Sequence, residues 1–477
     1  MAGIVAYGAY VPLKRLGKGT QGWRLPTEKA VAFYDEDSLT MAVAAGLDCL
    51  GDMDRNEIDG LYVASTTLPY KEKLCATVMS AAMDLRKDAY TVDCVDSLRS
   101  GTAALKLAMD TVKAGSAKKI LVTVSDCRLG PPRSEMDQVF GDGAVAFLVG
   151  DTKEALTMEA YYSVSNELLD MWRDTGNTIR TWEDRWVQEE GYMKVVPQVV
   201  KEFLEKYNLS MKDMTKVALY GNNPRRHGQV AKMIGVAPEQ LADTLYNTVG
   251  NTGTASALMM AVGAVEDGAK AGDTILVVQY GNGCDVLLLK VTENVNSLKP
   301  NRGLRKHIEH KQIFPSYDMY FGFHHNVGSA EAGPAPASSI VAREVDQIYP
   351  FKGTKCKVCG TIQYPPQRVC TNCKTKDQME PYRLSDKKAK LFTVVPDYAA
   401  PTPPYANPNM DLLVDWDCGG RVMSALTDNK LRPEDVKPGM EVEMTFRKLR
   451  AGGGIHHYWW KFMPIRESWV QEQKEEK

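Results

Sequence analysis

The chain has 477 residues, enough for about three domains, and its 44 % hydrophobic and 25 % charged residues are ordinary for a globular protein. A net charge of −2 argues against bulk electrostatic attraction to nucleic acid or anionic lipid. No apolar run approaches the roughly 18 residues that a membrane-spanning helix needs. Because the N-terminal segment lacks the pattern of a signal peptide, we expect a cytoplasmic protein whose ten cysteines are thiols or metal ligands.

Residues 1–293 alternate β-branched runs with helix-forming stretches, which predicts an α/β domain. The pattern is clearest at Tyr90–Val112, where a strand-like run ends at a polar break and a helical pattern follows Gly101. Backbone N–H groups and the positive end of the helix dipole meet in such a turn, which favours a reactive site. An ordinary β–α connection has the same pattern, so the turn alone does not identify chemistry.

The segments 1–150 and 151–293 contain similar kinds of element in similar order. FGDG at Phe140–Gly143 and YGNG at Tyr280–Gly283 each precede an apolar, strand-like run. These matching positions predict an internal duplication of one α/β unit.

Two C-x-x-C pairs form the most specific local pattern of the chain. Each pair fits a tight knuckle, so that four sulfurs can reach one tetrahedral ion, and Gly360 follows the first pair where a residue without a Cβ is favoured. Redox-active thiols are the alternative interpretation. The pattern predicts a closed, structural zinc site whose ligands are Cys356, Cys359, Cys370 and Cys373.

The C-terminal third of the chain is predicted to consist of four segments. Residues 326–345 are rich in glycine, alanine, serine and proline and are predicted to be a linker, and residues 346–380 form the zinc ribbon. Five short strand-like runs predict a small OB-type β-barrel over residues 381–465. Residues 466–477 form a charged tail.

Two resemblances cover nearly the whole chain. Residues 1–325 resemble the thiolase superfamily, specifically its hydroxymethylglutaryl-CoA synthase and ketoacyl synthase III branch. The motifs that carry this resemblance are LPYKEKLCATVMSAAM (68–83), DSLRSGTAALKLA (96–108), FGDGAVAFLVG (140–150), VGNTGTASAL (249–258) and YGNG (280–283). Residues 346–465 resemble the zinc-ribbon/OB-fold partner proteins of thiolases and archaeal hydroxymethylglutaryl-CoA synthases, through the cysteine pairs with YPPQRVC and through WWKFMPI. The resemblance implies an α/β, duplicated five-layer αβαβα thiolase fold, then a rubredoxin-like zinc ribbon and an OB-type barrel.

The resemblance also locates the positions at which the family carries its chemistry. Family enzymes use a cysteine nucleophile, helped by a histidine and a glutamate or asparagine. With SGTAAL placed on the family's C-x-x-G-T turn, the nucleophile position falls on Leu98, which cannot form a thioester. The acid position falls on Thr66 and the histidine position on Asn222. The asparagine of the G-N-T turn is present as Asn251.

Three functions remain open. In the first, the domain is a non-catalytic, acyl-CoA-handling subunit, and the zinc-ribbon/OB module bridges to a separate thiolase that holds the cysteine. In the second, Ser97, Asn222, Asn251 and Thr66 form an oxyanion hole for cysteine-independent condensing, decarboxylating or aldol-type chemistry, or Ser97 or Cys94 is a displaced nucleophile. In the third, the barrel binds nucleic acid, against which the near-neutral charge argues.

Several further residues flank the expected cleft. Guanidinium groups suit CoA phosphates, and the glycines of YGNG allow close approach, so the candidate substrate-binding residues are Arg99, Arg225, Arg226, Gly281 and Gly283. His227 is expected to be exposed on a basic turn, and the aromatic run Tyr317–Phe323 to be core or cleft lining. The resemblance implies a homodimer core and a thiolase partner, with acyl-CoA as ligand and neither nucleic acid nor membrane as partner.

Overall fold

A computed structural model describes residues 2–174, 178–182, 184–324, 337–399, 408–428 and 433–465. The chain divides into two compact units. The first comprises Met1–Ala32, Asp37–Ser80 and Leu85–His325. The second comprises Phe33–Glu36, Ala81–Asp84 and Asn326–Lys477.

Fourteen strands and ten helices lie between the N-terminus and His324 in the described part of the chain. The strands are β1 Gly3–Tyr10, β2 Lys14–Leu16, β3 Lys29–Val31, β4 Gly60–Ser65, β5 Tyr90–Val95, β6 Lys119–Asp126, β7 Gly143–Gly150, β8 Leu156–Ser165, β9 Met171–Trp172, β10 Arg180–Thr181, β11 Lys216–Leu219, β12 Thr274–Tyr280, β13 Gly283–Val291 and β14 Gln312–Ile313. The helices are α1 Ser38–Leu50, α2 Cys75–Ala82, α3 Ser100–Lys113, α4 Glu135–Val139, α5 Asp184–Glu190, α6 Tyr192–Tyr207, α7 Pro224–Met233, α8 Ser256–Glu266, α9 Gly303–Glu309 and α10 Tyr317–His324.

Nine strands form one mixed sheet in the order β11-β12-β13-β8-β1-β7-β6-β4-β5. Strands β1 and β4–β7 supply one half of the sheet, and β8 and β11–β13 supply the other. The halves meet where Gly3 and Ile4 pair with Thr157 and Leu156. The apolar strand β7 is buried throughout, as expected for a strand covered on both faces. The predicted duplication of an α/β unit therefore matches the course of the chain.

Helices cover both faces of the first half of the sheet. Ser125 of β6 donates a hydrogen bond to the carbonyl of Ser38 in α1, whereas its neighbour Val124 points to the opposite face, toward Gly101 of α3. Helix α3 in turn lies close to α8, because a Cβ on Gly101 would be 3.2 Å from Leu258. Helix α8 packs on β11 and β12, and α6 packs on β13 and β8. The predicted αβαβα layering is confirmed.

Helix α3 follows directly from the sequence pattern. Its apolar residues recur every three or four positions, so they form one buried stripe, which consists of Ala104, Leu105, Ala108, Met109 and Val112. Leu107 lies off this stripe and is 51 % exposed. The hydroxyl of Ser100 donates to the carbonyl of Val95, which ties the start of the helix to the end of β5.

The second unit contains a small ribbon and a β-rich region. Its elements are α11 Ser338–Arg343, α12 Val345–Ile348, β15 Lys352–Cys356, β16 Ile362–Gln363, β17 Met379–Arg383, β18 Ala389–Asp397, β19 Asn409–Trp416, β20 Arg421–Ala425, β21 Glu441–Gly452 and β22 Ile455–Pro464. Strand β15 pairs with β16 and β17, and the other five strands form a sheet in the order β20-β19-β18-β21-β22. A bridge between Leu426 and Phe462 joins the two ends of that sheet, so it closes into a barrel. The assignment of this barrel to the OB type stays a prediction.

The predicted linker at 326–345 is described only from residue 337. There the chain is helical in α11, although only Ala342 and Arg343 of its sequence SSIVAR are good helix formers. Residues 326–336 and the predicted tail at 466–477 lie outside the described residues. Among the described helices, none has the length and apolar character needed to span a membrane.

Candidate functional site

The residue at the family's nucleophile position is a packed side chain. Leu98 is 9 % exposed. A Cβ added to Gly281 would lie 2.7 Å from the Cβ of Leu98. Its carbonyl accepts a 2.9 Å hydrogen bond from the hydroxyl of Thr254, which also accepts from the N–H of Gly101. The turn before α3 is therefore built as in a catalytic turn, but it presents a hydrocarbon where a nucleophile would stand.

Arg99 secures this turn to the YGNG loop. Its guanidinium donates to Asp285 at 2.8 Å, to the carbonyls of Gly281 at 2.6 Å and Asn282 at 3.1 Å, and to the hydroxyl of Ser163 at 2.9 Å. These four hydrogen bonds leave the side chain little capacity for a CoA phosphate. The structure thus gives Arg99 a positioning role between α3 and β13.

Close contacts around the YGNG loop leave no room for a side chain at either of its two glycines. Gly281 packs against Leu98, as described above. Gly283 has a φ of 117°, and a Cβ there would lie 1.9 Å from the carbonyl oxygen of Val164. Only a residue without a side chain fits this position.

Asn251 is completely buried, and its side-chain amide is fully engaged. Its Nδ2 donates to the carbonyl of Gly221 at 2.9 Å and lies 3.3 Å from the hydroxyl of Tyr220, while its Oδ1 accepts from the N–H of Gly253 at 2.8 Å. The one family residue retained in the sequence therefore holds its own turn together, and its amide is not free to bind a ligand.

Thr66, at the acid position, is a donor to Asp126. Its N–H and its hydroxyl reach the same Oδ1 atom of Asp126 at 2.7 and 2.9 Å, and the hydroxyls of Ser65 and Thr67 reach it at 3.1 Å. The N–H of Thr254 binds the second oxygen at 2.8 Å. Asp126 is thus a buried carboxylate that accepts hydrogen bonds from two separate turns. Thr66 is one of the donors and is not itself an acid.

A cavity of about 580 Å³ opens beside these turns. Seven of its fifteen lining residues are apolar or aromatic and eight are polar or charged. The lining consists of Pro131, Ser134, Glu135, Met136, Phe140, Met171, Trp172, Ile179, Arg180, Thr181, Trp182, Gln188, Asn222, Asn223 and Arg226. Such a mixture of aromatic, apolar and polar groups can hold a small molecule.

Asn222, at the family's histidine position, lies in the wall of this cavity. Its Nδ2 donates to Oε1 of Gln188 at 2.8 Å, whereas its Oδ1 is buried and has no hydrogen-bond partner among the described residues. A buried acceptor without a partner is costly, so it is suited to a donor group on a bound molecule.

Helix α7 begins at the cavity. Asn223 caps it by accepting from the N–H groups of Arg225 at 2.9 Å and Arg226 at 3.1 Å. The side chain of Arg226 lines the cavity, whereas Arg225 is exposed to solvent. Of the three arginines singled out from the sequence, Arg226 is the one that the structure places on the cavity wall.

Two residues considered as displaced nucleophiles lie apart from the cavity lining. Ser97 is half-buried, and its Oγ accepts from the N–H of Arg99 at 3.2 Å. Cys94 is half-buried in β5, where burial, followed by the charge of Asp93, raises the pKa of its thiol. A raised pKa disfavours the thiolate that a nucleophile needs.

The expectation for His227 was wrong. The residue is 3 % exposed, its Nε2 donates to the carbonyl of Leu219 at 3.0 Å, and burial lowers its pKa. It shares the buried face of α7 with Val230 and Ala231, three and four positions further along. This spacing was the signal in the sequence that indicated burial. The aromatic run in α10 is mostly buried, as expected, with Tyr317, Tyr320 and Phe323 in the interior.

The four cysteines of the ribbon converge as predicted. Their sulfur atoms all lie within 4.8 Å of one another, with 3.7 Å between Cys356 and Cys373 and 3.5 Å between Cys359 and Cys370. The hydroxyl of Thr361 is 3.2 Å from the sulfur of Cys359 and lowers the pKa of that thiol to about 6. The donor set and its geometry fit one structural Zn²⁺ ion.

A second convergence was not anticipated from the sequence. Cys127, Asp142 and His324 bring one sulfur, one carboxylate oxygen and one ring nitrogen within 4.8 Å of one another. Asp142 belongs to the FGDG motif, but nothing in the sequence near Cys127 or His324 points from one to the other. The fold alone assembles this cluster.

Two family models match parts of the chain. Residues 204–288 match the C-terminal domain of 3-oxoacyl-[acyl-carrier-protein] synthase III, and residues 347–380 match the rubredoxin-like zinc ribbon domain of ChsH2. A solved structure described as MvaS in complex with 3-hydroxy-3-methylglutaryl coenzyme A has a TM-score of 0.60 at 21 % identity, and covers 70 % of this chain and 94 % of its own. This likeness shows the fold.

Named relatives match at higher identity. The hydroxymethylglutaryl-CoA synthase of Methanopyrus kandleri is 29 % identical over 335 residues, which are 67 % of this chain and 95 % of the relative. That of Thermococcus gammatolerans is 30 % identical over 334 residues, which are 67 % of this chain and 94 % of the relative. The chain therefore belongs to the hydroxymethylglutaryl-CoA synthase family, with a zinc ribbon and a β-rich region added at its C-terminal side.

Proposed function

We propose that the chain binds CoA thioesters and acts as the acyl-CoA-handling subunit of a complex that makes or breaks C–C bonds, while a separate thiolase carries the condensing cysteine. The observation that carries this proposal is the packing of Leu98 against Gly281 at the nucleophile position. A leucine side chain has no group that can hold an acyl chain, and the retained Asn251 is fully engaged within its own turn. The turn that resembles the family's catalytic turn therefore offers no nucleophile of its own.

The binding part of the proposal rests on the cavity. The MvaS structure with the same fold contains a CoA thioester. This chain has a cavity of about 580 Å³ lined by aromatic, apolar and polar side chains, with Arg226 and the unsatisfied Oδ1 of Asn222 in its wall. An amide or hydroxyl group of pantetheine can donate to that oxygen, and a guanidinium suits phosphate.

The second unit supports a role in assembly. A closed four-cysteine zinc site is structural rather than catalytic, because it leaves no coordination position for a substrate. The ribbon and the barrel, which resemble partner proteins of thiolases, are proposed to bridge to the catalytic thiolase. We further propose that the thiolase-like unit forms a homodimer.

The cysteine-independent alternative has weaker support from the geometry. An oxyanion hole needs free donors, yet both hydrogen-bonding ends of Asn251 are occupied, and the N–H and hydroxyl of Thr66 both donate to Asp126. The free atom of Asn222 is an acceptor, which would repel an oxyanion. A nucleic-acid-binding barrel has no supporting observation.

A tagged pull-down from the native host tests the proposed function. We expect a thiolase with an intact cysteine to co-elute in stoichiometric amount, and condensation to require both chains. Light scattering of the isolated chain is expected to show a dimer, and titration with CoA is expected to show binding. A homodimer that condenses acyl-CoA without another protein would contradict the proposal.

A further inference from the structure

The cluster of Cys127, Asp142 and His324 lies outside the family's catalytic positions. Cys127 directly follows β6, Asp142 directly precedes β7, and His324 ends α10. Cys127 and His324 are half-buried, so solvent and small molecules reach the edge of the cluster, while Asp142 is 3 % exposed. A thiol, an imidazole and a carboxylate in mutual reach are the groups of an activated cysteine nucleophile.

The backbone of Ala32 orients two members of the cluster. Its N–H donates to Oδ2 of Asp142 at 2.7 Å, and its carbonyl accepts from Nε2 of His324 at 3.0 Å. Because a carbonyl only accepts, Nε2 carries the proton in the neutral ring, and Nδ1 keeps its lone pair. His324 is thus held in the tautomer that can accept a proton from a thiol.

A buried amine contacts Tyr320, whose ring packs against that of His324. Lys29 is 2 % exposed, and its Nζ lies 3.2 Å from Oδ1 of Asp137 and 2.9 Å from the hydroxyl of Tyr320. Burial lowers the pKa of Lys29, while the charges of Asp137, Asp142 and Cys127 raise it. Burial is the larger influence, so the pKa of Lys29 is lowered overall.

We propose that Cys127, with His324 as its base, is a nucleophilic thiol that accepts the acyl group of a CoA thioester. His324 takes the proton of the thiol at Nδ1, and the thiolate sulfur attacks the thioester carbonyl carbon. The bond from that carbon to the sulfur of CoA breaks, and the CoA thiolate leaves with the proton from the imidazolium. The products are an acyl-Cys127 thioester and free CoA, and no oxidant or reductant takes part.

The cluster is close in sequence to residues of the cavity wall, although none of its three members lines the cavity. Asp142 is two residues from Phe140, which lines the cavity. On the other side, Leu129 is two residues beyond Cys127 and forms a β-bridge with Thr178. Thr178 is next to Ile179, which also lines the cavity. Two residues of extended chain span about 7 Å. The inference rests on the proposed binding of CoA thioesters, because the cavity supplies the acyl donor.

The first test needs no variant. The full-length chain is alkylated with iodoacetamide near neutral pH, and the rate at each cysteine is followed by peptide mass spectrometry. We expect Cys127 to react at least about tenfold faster than Cys94, another half-buried thiol of the same unit. His324→Gln is expected to abolish that advantage. Equal rates at the two cysteines would overturn the inference.

The second test uses acetyl-CoA as the probe, with intact mass and peptide mapping as the readout. One acetyl group on Cys127 is expected, and none in Cys127→Ser, while both proteins keep the same affinity for CoA by titration. Failure of the wild-type chain to bind CoA would contradict the proposed function. Binding without acetylation, acetylation at Cys94, or a second equivalent of zinc that Cys127→Ser loses would overturn the inference.

Discussion

Leu98 and Gly281 pack so closely that any side chain at position 281 would collide with Leu98, since a Cβ there would lie 2.7 Å from that of the leucine. The contact joins the turn before α3 in the first half of the domain to the YGNG loop in the second. The resemblance to the family predicts a nucleophile at position 98, and the structure shows hydrocarbon packing there instead.

Leu98→Cys restores the family's nucleophile and tests whether the site can still use it. We expect no condensation of acyl-CoA, because the acid and histidine positions hold Thr66 and Asn222. The free energy of unfolding is expected to fall by about 1–2 kcal/mol through lost apolar burial. Leu98→Ala is the control that removes the side chain without adding a thiol. Turnover by Leu98→Cys alone would show that the remaining groups suffice for catalysis.

Asn251 and Asn222 are expected to respond differently to alanine substitution. Asn251→Ala leaves the Gly253 N–H buried without its acceptor and removes one of the two donors to the Gly221 carbonyl, which keeps the hydroxyl of Tyr246, so denaturant unfolding should show a loss of about 1–3 kcal/mol. Asn222→Ala removes a half-buried amide with one partner, Gln188, so its stability should change by less than about 1 kcal/mol. CoA affinity should fall in Asn222→Ala.

This pair is a matched comparison, because both residues are asparagines at family positions of the same unit. Equal losses of stability in the two variants would contradict the structural role assigned to Asn251. An unchanged CoA affinity in Asn222→Ala would contradict the ligand-binding role of the cavity wall.

The features that the sequence predicted well depend on residues that are close together in the chain. Gly250 and Gly253 of the G-N-T turn have φ values of 92° and 61°, and Gly283 of YGNG has 117°, conformations that glycine adopts easily, so these turns are visible as motifs. The zinc site is likewise local, because each C-x-x-C pair fits one knuckle. Alternation of strand and helix patterns was sufficient for the α/β fold.

What the sequence did not predict depends on contacts between distant segments. Arg99 and Asp285 are 186 residues apart, and their 2.8 Å ion pair uses the guanidinium that the sequence left open for phosphate. The cluster of Cys127, Asp142 and His324 exists because β6, β7 and the end of α10 meet in space. No periodicity or spacing encodes such a meeting, so only the fold reveals it.

Removal of zinc should unfold the ribbon. Because its short strands bury little apolar surface, the ion supplies much of the folding free energy of this segment. Treatment of the full chain with a chelator is expected to release one zinc per ribbon and to expose the peptide bonds of residues 352–383 to protease. Cys356→Ser should likewise lose zinc and become sensitive to protease. Cys418→Ser, at a half-buried thiol outside the site, should keep its zinc. Retention of zinc by Cys356→Ser would contradict the four-cysteine assignment.

The buried His227 should make stability depend on pH. Burial lowers its pKa below the ordinary histidine value of about 6.5, so below about pH 6.5 the unfolded chain binds a proton that the folded chain does not. Its contribution to stability is therefore complete above the unfolded pKa and is lost as the pH falls, by at most about 1.4 kcal/mol per pH unit. Urea unfolding of wild type and His227→Gln, from about pH 7.5 to about pH 5.5, should show the difference in unfolding free energy shrinking as the pH falls. His456→Gln, at a half-buried histidine of the second unit, controls for the loss of one histidine. If the wild-type and His227→Gln curves stay parallel over this range, His227 is not the neutral, buried group that the structure shows.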